Sequence, residues 1–202
     1  PELLDLKGES DAVKKMYGMD SDFNQTKIFG RQCLLARRLV ERGVRFIELT
    51  CPGGNGDRWD QHTNLIDGQQ NTAMAVDQPM AALIQDLKMR GMLDDTLVVW
   101  GGEFGRTVYC QGDLSPTNYG RDHHPRCFSI WMAGGGVKAG HRIGSTDEIG
   151  DHAVEVVNPI RNLHVTLEHI MGLDDNQLTY FHEGRFKVLS QTGGAVIKEL
   201  LG

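Results

Sequence analysis

Three groups of acid and histidine side chains are this chain's candidates for chemistry: Asp60 with His62, Glu103, and Asp122-His123-His124. Carboxylate and imidazole are the donors that hard and borderline divalent cations take, and such donor sets are assembled from separate loops. No Ser, Thr or Cys beside them reads as an activated nucleophile. Chemistry at these positions would therefore be metal chemistry.

Each group also has a plainer reading. Asp60 and His62 are two residues apart in Trp59-Asp60-Gln61-His62, so in an extended loop both point the same way, toward one ion. Asp60 would serve equally as the cap of a following helix. Glu103 stands in a glycine-rich turn after an apolar run. It is a ligand, a general base or the ion-pair partner of Arg106. His123 and His124 are adjacent and point apart, so one would bind metal while the other packs. A solvated turn explains Asp122-His123-His124 as well. His164 and His169 are five apart, which does not stack them on one helix face. His141, His152 and His182 read as having no acidic partner at a telling spacing. Gly134-Gly135-Gly136 with Lys138 lacks a Walker pattern and reads as a turn.

The elements that must hold these groups follow from periodicity and punctuation. Residues 9–18 predict a short helix with Ser10 as N-cap. Residues 24–42 predict a longer one, stopped by Gly43. Residues 44–49 alternate and end in Pro52-Gly53-Gly54, which predicts a strand. Residues 63–90 predict a helix with Ala73, Val76, Met80, Leu83 and Leu87 on its apolar stripe, kinked or split at Pro79. Residues 96–100 read as a strand buried on both faces, 107–122 as a surface loop and 128–133 as another strand. Asn158 and Pro159 open a helix to about residue 171, and the tail predicts short extended pieces with a last helical turn. This order predicts an α/β layered fold with a mostly parallel sheet, its site beyond the carboxyl ends of the strands. Asp60, His62 and Glu103 would then share one crevice.

The bulk numbers narrow the function classes. A chain of 202 residues, 40% hydrophobic and 24% charged, is expected to form a single α/β domain. A net charge of -6 without a basic run argues against nucleic acid as a partner. No apolar stretch is long enough for a membrane span, and the first residues carry no export signal. Four cysteines contain no C-x-x-C pair, which argues against a zinc knuckle or a thioredoxin-like motif.

Several segments together resemble a large bacterial family, domain of unknown function 1501. They are Trp59-Asp60-Gln61-His62, residues 97–107 around Gly101-Gly102-Glu103-Phe104-Gly105-Arg106-Thr107, Gly120-Arg121-Asp122-His123-His124-Pro125, residues 133–140, residues 163–173 and Leu178-Thr179-Tyr180. That family is similar to the alkaline phosphatase and sulfatase superfamily. The resemblance implies an alkaline phosphatase-like sheet and a metal centre holding a divalent cation, zinc or calcium. It implies Asp60 and His62 as ligands of one metal, with Glu103, Asp122 and His123 or His124 completing the set. Glu103 keeps a carboxylate where relatives carry Asp-His-Gly, while Phe104 drops the imidazole. Arg106 or Arg121 would clamp a small anionic ester, and Glu103 would hold a second ion or act as base. Family members run longer and begin with an export signal. The chain is thus expected to be the carboxyl-terminal portion of a periplasmic or exported protein, impaired in turnover because the nucleophile lies outside it. A sheet edge left open in this way would favour a homo-oligomer. The competing expectation is a binding or structural module that keeps the fold without the chemistry.

Overall fold

The computed structural model describes residues 2–52, 58–188 and 193–202. Its chain forms two compact units, Pro1–Thr96 with Phe104–Pro125, and Leu97–Glu103 with Arg126–Gly202.

The first unit is built on helices. Helix α1 (Asp11–Met16) opens where the Ser10 hydroxyl accepts the Val13 N–H at 3.2 Å, satisfying one of the donors a helix start leaves orphaned. Helix α2 spans Asn24–Glu41 and helix α3 spans Leu65–Met89. The expected split into two helices at Pro79 does not occur. Pro79 is buried inside one continuous helix, and packing outweighs the single lost backbone hydrogen bond. The buried face of α3 is Ala75, Val76, Pro79, Ala82, Asp86 and Leu87. Of the expected stripe, Val76 and Leu87 are buried, Met80 and Leu83 pack at the margin, and Ala73 is exposed. Tyr17, Phe29, Cys33 and Leu34 meet Ala75, Val76 and Ala82 in the core.

Polar groups in that core are paired. Asp86 accepts from Tyr17 Oη at 3.0 Å, from Arg37 Nε at 3.0 Å and from Arg90 Nε at 2.7 Å. Arg37 also reaches Glu9 and Glu41. Removing one partner of such a buried pair costs about 3–5 kcal/mol, because the other charge is stranded. Beyond α3, a 3-10 turn (Leu93–Asp95) ends the helical stretch. The chain forms β1 (Val98–Trp100) in the second unit and then β2 (Gly105–Arg106) in the first, where β2 pairs antiparallel with β3 (His123–His124).

The second unit pairs β1 (Val98–Trp100) with β4 (Trp131–Ala133), β5 (Ser145–Thr146) with β6 (Ala153–Glu155), and β7 (Thr179–His182) with β8 (Arg185–Val188), all antiparallel. Helix α4 (Ile160–Ile170) follows Pro159, and a 3-10 turn at Lys198–Leu200 closes the tail. Thr166 Oγ1 accepts the Ile197 N–H at 2.9 Å and Asn162 Oδ1 the Ala195 N–H at 3.1 Å, so α4 holds that tail in place.

The layered, mostly parallel α/β sheet is therefore overturned, and with it the alkaline phosphatase-like arrangement. Every described sheet has two strands and is antiparallel. Parallel neighbours need a long crossover, usually a helix. No helix lies between Trp100 and Trp131, so the chain returns against β1 in the opposite sense. Two further expectations fail for related reasons. Residues 44–49 form no ladder, and Phe46 there is 69% exposed, because no described strand runs beside them. Strand β1 is not buried on both faces, since Val99 is 40% exposed. Gly53 and Gly54 of the expected turn lie outside the described residues.

Candidate metal centre

Two loops of the first unit build the site. One runs from Trp59 to Asn64 into α3, and the other runs from Thr107 to Asp122 between β2 and β3. Trp59 and Asn64 bracket the first loop with positive φ values of 62° and 50°, an uncommon conformation for residues other than glycine. Gln61 between them is buried and accepts from Gln69 Nε2 at 2.7 Å. That turns Asp60 and His62 outward together, so the two-residue spacing works as the sequence suggests.

Backbone bonds lace the loops to each other. Arg121 N–H donates to Gln61 O at 3.0 Å and Leu65 N–H to Tyr119 O at 2.9 Å. Asn118 Oδ1 accepts the Asn64 N–H at 3.2 Å. Gly120 is what lets them close, because a Cβ there would stand 2.0 Å from the His62 carbonyl. Thr107 N–H donates to Asp122 O at 2.9 Å, and β2–β3 pairing sets Arg106 opposite His123. Strand alternation then sends His123 to the exposed face and His124 to the buried one.

The result is a tight triangle of donor atoms. Asp60 Oδ1 lies 3.0 Å from His62 Nε2 and 3.0 Å from His123 Nε2, and the two Nε2 atoms are 3.2 Å apart. Bonds of about 2.0–2.2 Å to a tetrahedral zinc would set such edges at about 3.3–3.6 Å, within a few tenths of an ångström of those seen. His62 Nδ1 meets the side-chain carbonyl of Gln111. An amide oxygen only accepts, so Nδ1 carries a hydrogen, and in the neutral ring that a metal requires Nε2 keeps its lone pair facing Asp60. Two acceptors 3.0 Å apart repel unless a proton or a cation lies between them. The donor set therefore fits a cation.

Arg106 and Phe104 frame this triangle. Arg106 Nη2 donates to Asp60 Oδ1 at 2.5 Å. That hydrogen bond is the largest cause holding the Asp60 carboxyl below its ordinary range, ahead of an opposing desolvation and of the His123 contact. Asp60 is thus kept ionised, as a metal ligand must be. The Phe104 ring lies 4.4 Å from His123, with the Arg106 guanidinium 5.8 Å from its centroid.

The other expected site residues fall elsewhere. Glu103 is exposed and belongs to the second unit, and the partner of Arg106 is Asp60. Asp122 turns back to accept the His123 N–H at 2.7 Å. His124 is buried on β3, and Arg121 Nη1 donates to Thr107 O at 3.2 Å, bracing the loop. Asp60 does not cap α3. Asn64 holds that position.

A second triad, Asp147, Asp151 and His152, also gathers its ligand atoms within 4.8 Å in the second unit. His152 thus has an acidic partner in its chain neighbour Asp151, against the expectation that it had none. Here Arg126 Nη1 faces His152 Nε2 at 3.2 Å. A guanidinium only donates, so Nε2 accepts and Nδ1 carries the hydrogen toward Asp151 Oδ2 at 2.8 Å. Asp147 is occupied by the Asp151 and His152 backbone N–H groups, at 2.7 and 3.1 Å. No ring lone pair faces its carboxylates, and the turn is self-satisfied. Gln111 was also missed, and nothing local in the sequence marks it. Its place follows from its antiparallel bridge to Gly120.

A family profile described as "Protein of unknown function (DUF1501)" matches residues 1–201. No curated protein and no solved structure matches the chain.

Proposed function

The chain belongs to the DUF1501 family, and from that premise we propose that it is a divalent-metal hydrolase of phosphate or sulfate esters, with Asp60, His62 and His123 as its metal ligands. The observation that carries this reading is the convergence of their donor atoms, with edges of 3.0, 3.0 and 3.2 Å. Two imidazoles and one carboxylate suit zinc or a similar first-row cation. Calcium is disfavoured, since it takes six or more oxygen ligands. A cation held there would polarise the ester oxygen and offset the charge developing on it. Arg106 keeps Asp60 ionised, and its Nη1 is buried with no hydrogen-bond partner among the described residues. Arg106 is the group we assign to the oxyanion of the ester, since guanidinium groups match such oxygens through paired N–H bonds. The order of motifs that resembles sulfatase-type enzymes favours the same chemistry, although the fold does not follow that pattern.

A second reading has its own observation. Because Arg106 already sits on Asp60 Oδ1, the group would also serve as a closed ionic brace in a binding or structural module. Elemental analysis of protein freed of any polyhistidine tag separates the two. The hydrolase reading expects stoichiometric metal, lost in both His62→Ala and His123→Ala, and hydrolysis of aryl phosphate or sulfate esters lost in Asp60→Ala. Absence of bound metal after incubation with zinc would leave only the brace. Preferential binding of iron(II) would redirect the reading, since two histidines and a carboxylate also serve oxygen-activating iron.

A further inference from the structure

We propose that Gln111 is a positioning residue that locks His62 into the Nδ1–H tautomer and so commits its Nε2 lone pair to the metal centre. This rests on reading Asp60, His62 and His123 as ligands, but the lock itself exists without metal. Gln111 lies 49 residues from His62 on the opposite loop. Its backbone N–H donates to Gly120 O at 3.0 Å, and the Gly120 backbone runs directly against the His62 carbonyl. The amide is thereby delivered by main-chain geometry to the edge of the ring remote from Asp60. Metal-bound histidines characteristically donate their second N–H to such an oxygen, which fixes ring orientation and tautomer.

His123 differs. Its Nε2 faces two acceptors, Asp60 Oδ1 at 3.0 Å and His62 Nε2 at 3.2 Å. With His62 locked and both rings neutral, the hydrogen that His123 offers this triangle sits on its Nε2. The two histidines are thus in opposite tautomers before metal arrives. For His123 Nε2 to bind a metal, its hydrogen must pass to solvent or to Nδ1 of the same ring, while the hydrogen on His62 Nδ1 stays there, donated to Gln111.

The test uses the full chain, without a tag, in two measurements. Long-range proton–nitrogen correlation spectra of the metal-free protein report each ring's tautomer. We expect Nδ1–H for His62 and Nε2–H for His123 in the unsubstituted protein, with the His62 signature lost in Gln111→Ala. Zinc titration against a competing chelator should show an affinity loss of about 10–100-fold in Gln111→Ala. Gln111→Glu restores an acceptor and should bring back both the signature and the affinity. A His62 Nε2–H tautomer in the metal-free protein, or an unchanged signature and affinity in Gln111→Ala, overturns the proposal. If zinc does not bind at all but the His62 signature still depends on Gln111, the lock stands and the metal reading falls. If Gln111→Ala loses its dispersed amide spectrum, Gln111→Glu alone decides. It must keep the Nδ1–H signature and bind zinc at least as tightly as the unsubstituted protein, or the lock is refuted.

Discussion

Asp60-His62-His123 and Asp147-Asp151-His152 use the same residue types, yet His62 turns Nε2 toward its neighbouring carboxylate while His152 turns Nδ1–H toward one. In the first, an amide oxygen behind His62 pushes the lone pair inward, toward a carboxylate. In the second, a guanidinium behind His152 claims the lone pair and leaves the N–H facing the carboxylate. The first arrangement directs a ring lone pair at its carboxylate, where a cation would fit, and the second directs none. Gathering acids and histidines within a few ångströms is therefore not a metal site. The neighbour behind each ring decides, because it sets which nitrogen accepts.

The largest contrast expected is in metal binding. Asp60→Ala should lower zinc affinity by at least about 100-fold, because a first ligand is lost. Asp151→Ala should leave it unchanged, as read by the same chelator competition. Equal losses would erase the distinction between the clusters.

The glycines of the two regions give the next test. Gly120→Ala puts a Cβ against the His62 backbone and should cost about 3 kcal/mol by overpacking, with weakened zinc binding. Gly150, in the hairpin turn, has φ 76° and open space around its Cβ position. Gly150→Ala should cost about 1 kcal/mol from backbone conformation alone. Urea unfolding measures both, and a cost for Gly120→Ala below that for Gly150→Ala would refute the close approach.

Acid titration separates the two clusters again. The Asp60 carboxyl is lowered first by Arg106. Its stabilising contribution is complete above the unfolded value of about 3.9 and is lost as pH falls through the lower folded value. Arg106→Met should move the Asp60 titration upward, toward that unfolded value. Desolvation acts to raise Asp147, but the backbone N–H groups of Asp151, His152 and Gly150 outweigh it and the net shift is downward. Arg126→Met should therefore leave Asp147 low. Carboxyl-carbon NMR titrations of metal-free protein check both.

The smallest effect is expected at Glu103, which is exposed. Glu103→Gln should leave zinc stoichiometry and affinity unchanged, and a clear loss would bring it back into the ligand set.

Much of the helical part was legible. The Ser10 cap, the run of α2 up to Gly43 and the opening of α4 after Pro159 depend on neighbours within a few residues. The sense of strand pairing was not legible, because it depends on what connects the strands. Asp60 with His62 could be suspected from spacing, and His123 only as one of two neighbours. Gln111 carries no local signal at all, and the orientation of His152 turns on Arg126, which is distant in sequence.

By itself, then, the sequence determined the helices, the outward pairing of Asp60 with His62 and the opposite faces of His123 and His124. These follow from periods of a few residues along one segment. Only the tertiary structure decided which histidine joins Asp60, that Arg106 pairs with Asp60 rather than with Glu103, and which ring nitrogen faces that carboxylate. Those outcomes require two loops to be laced together through Gly120 and Arg121, and contacts between remote segments leave no periodic trace in either one.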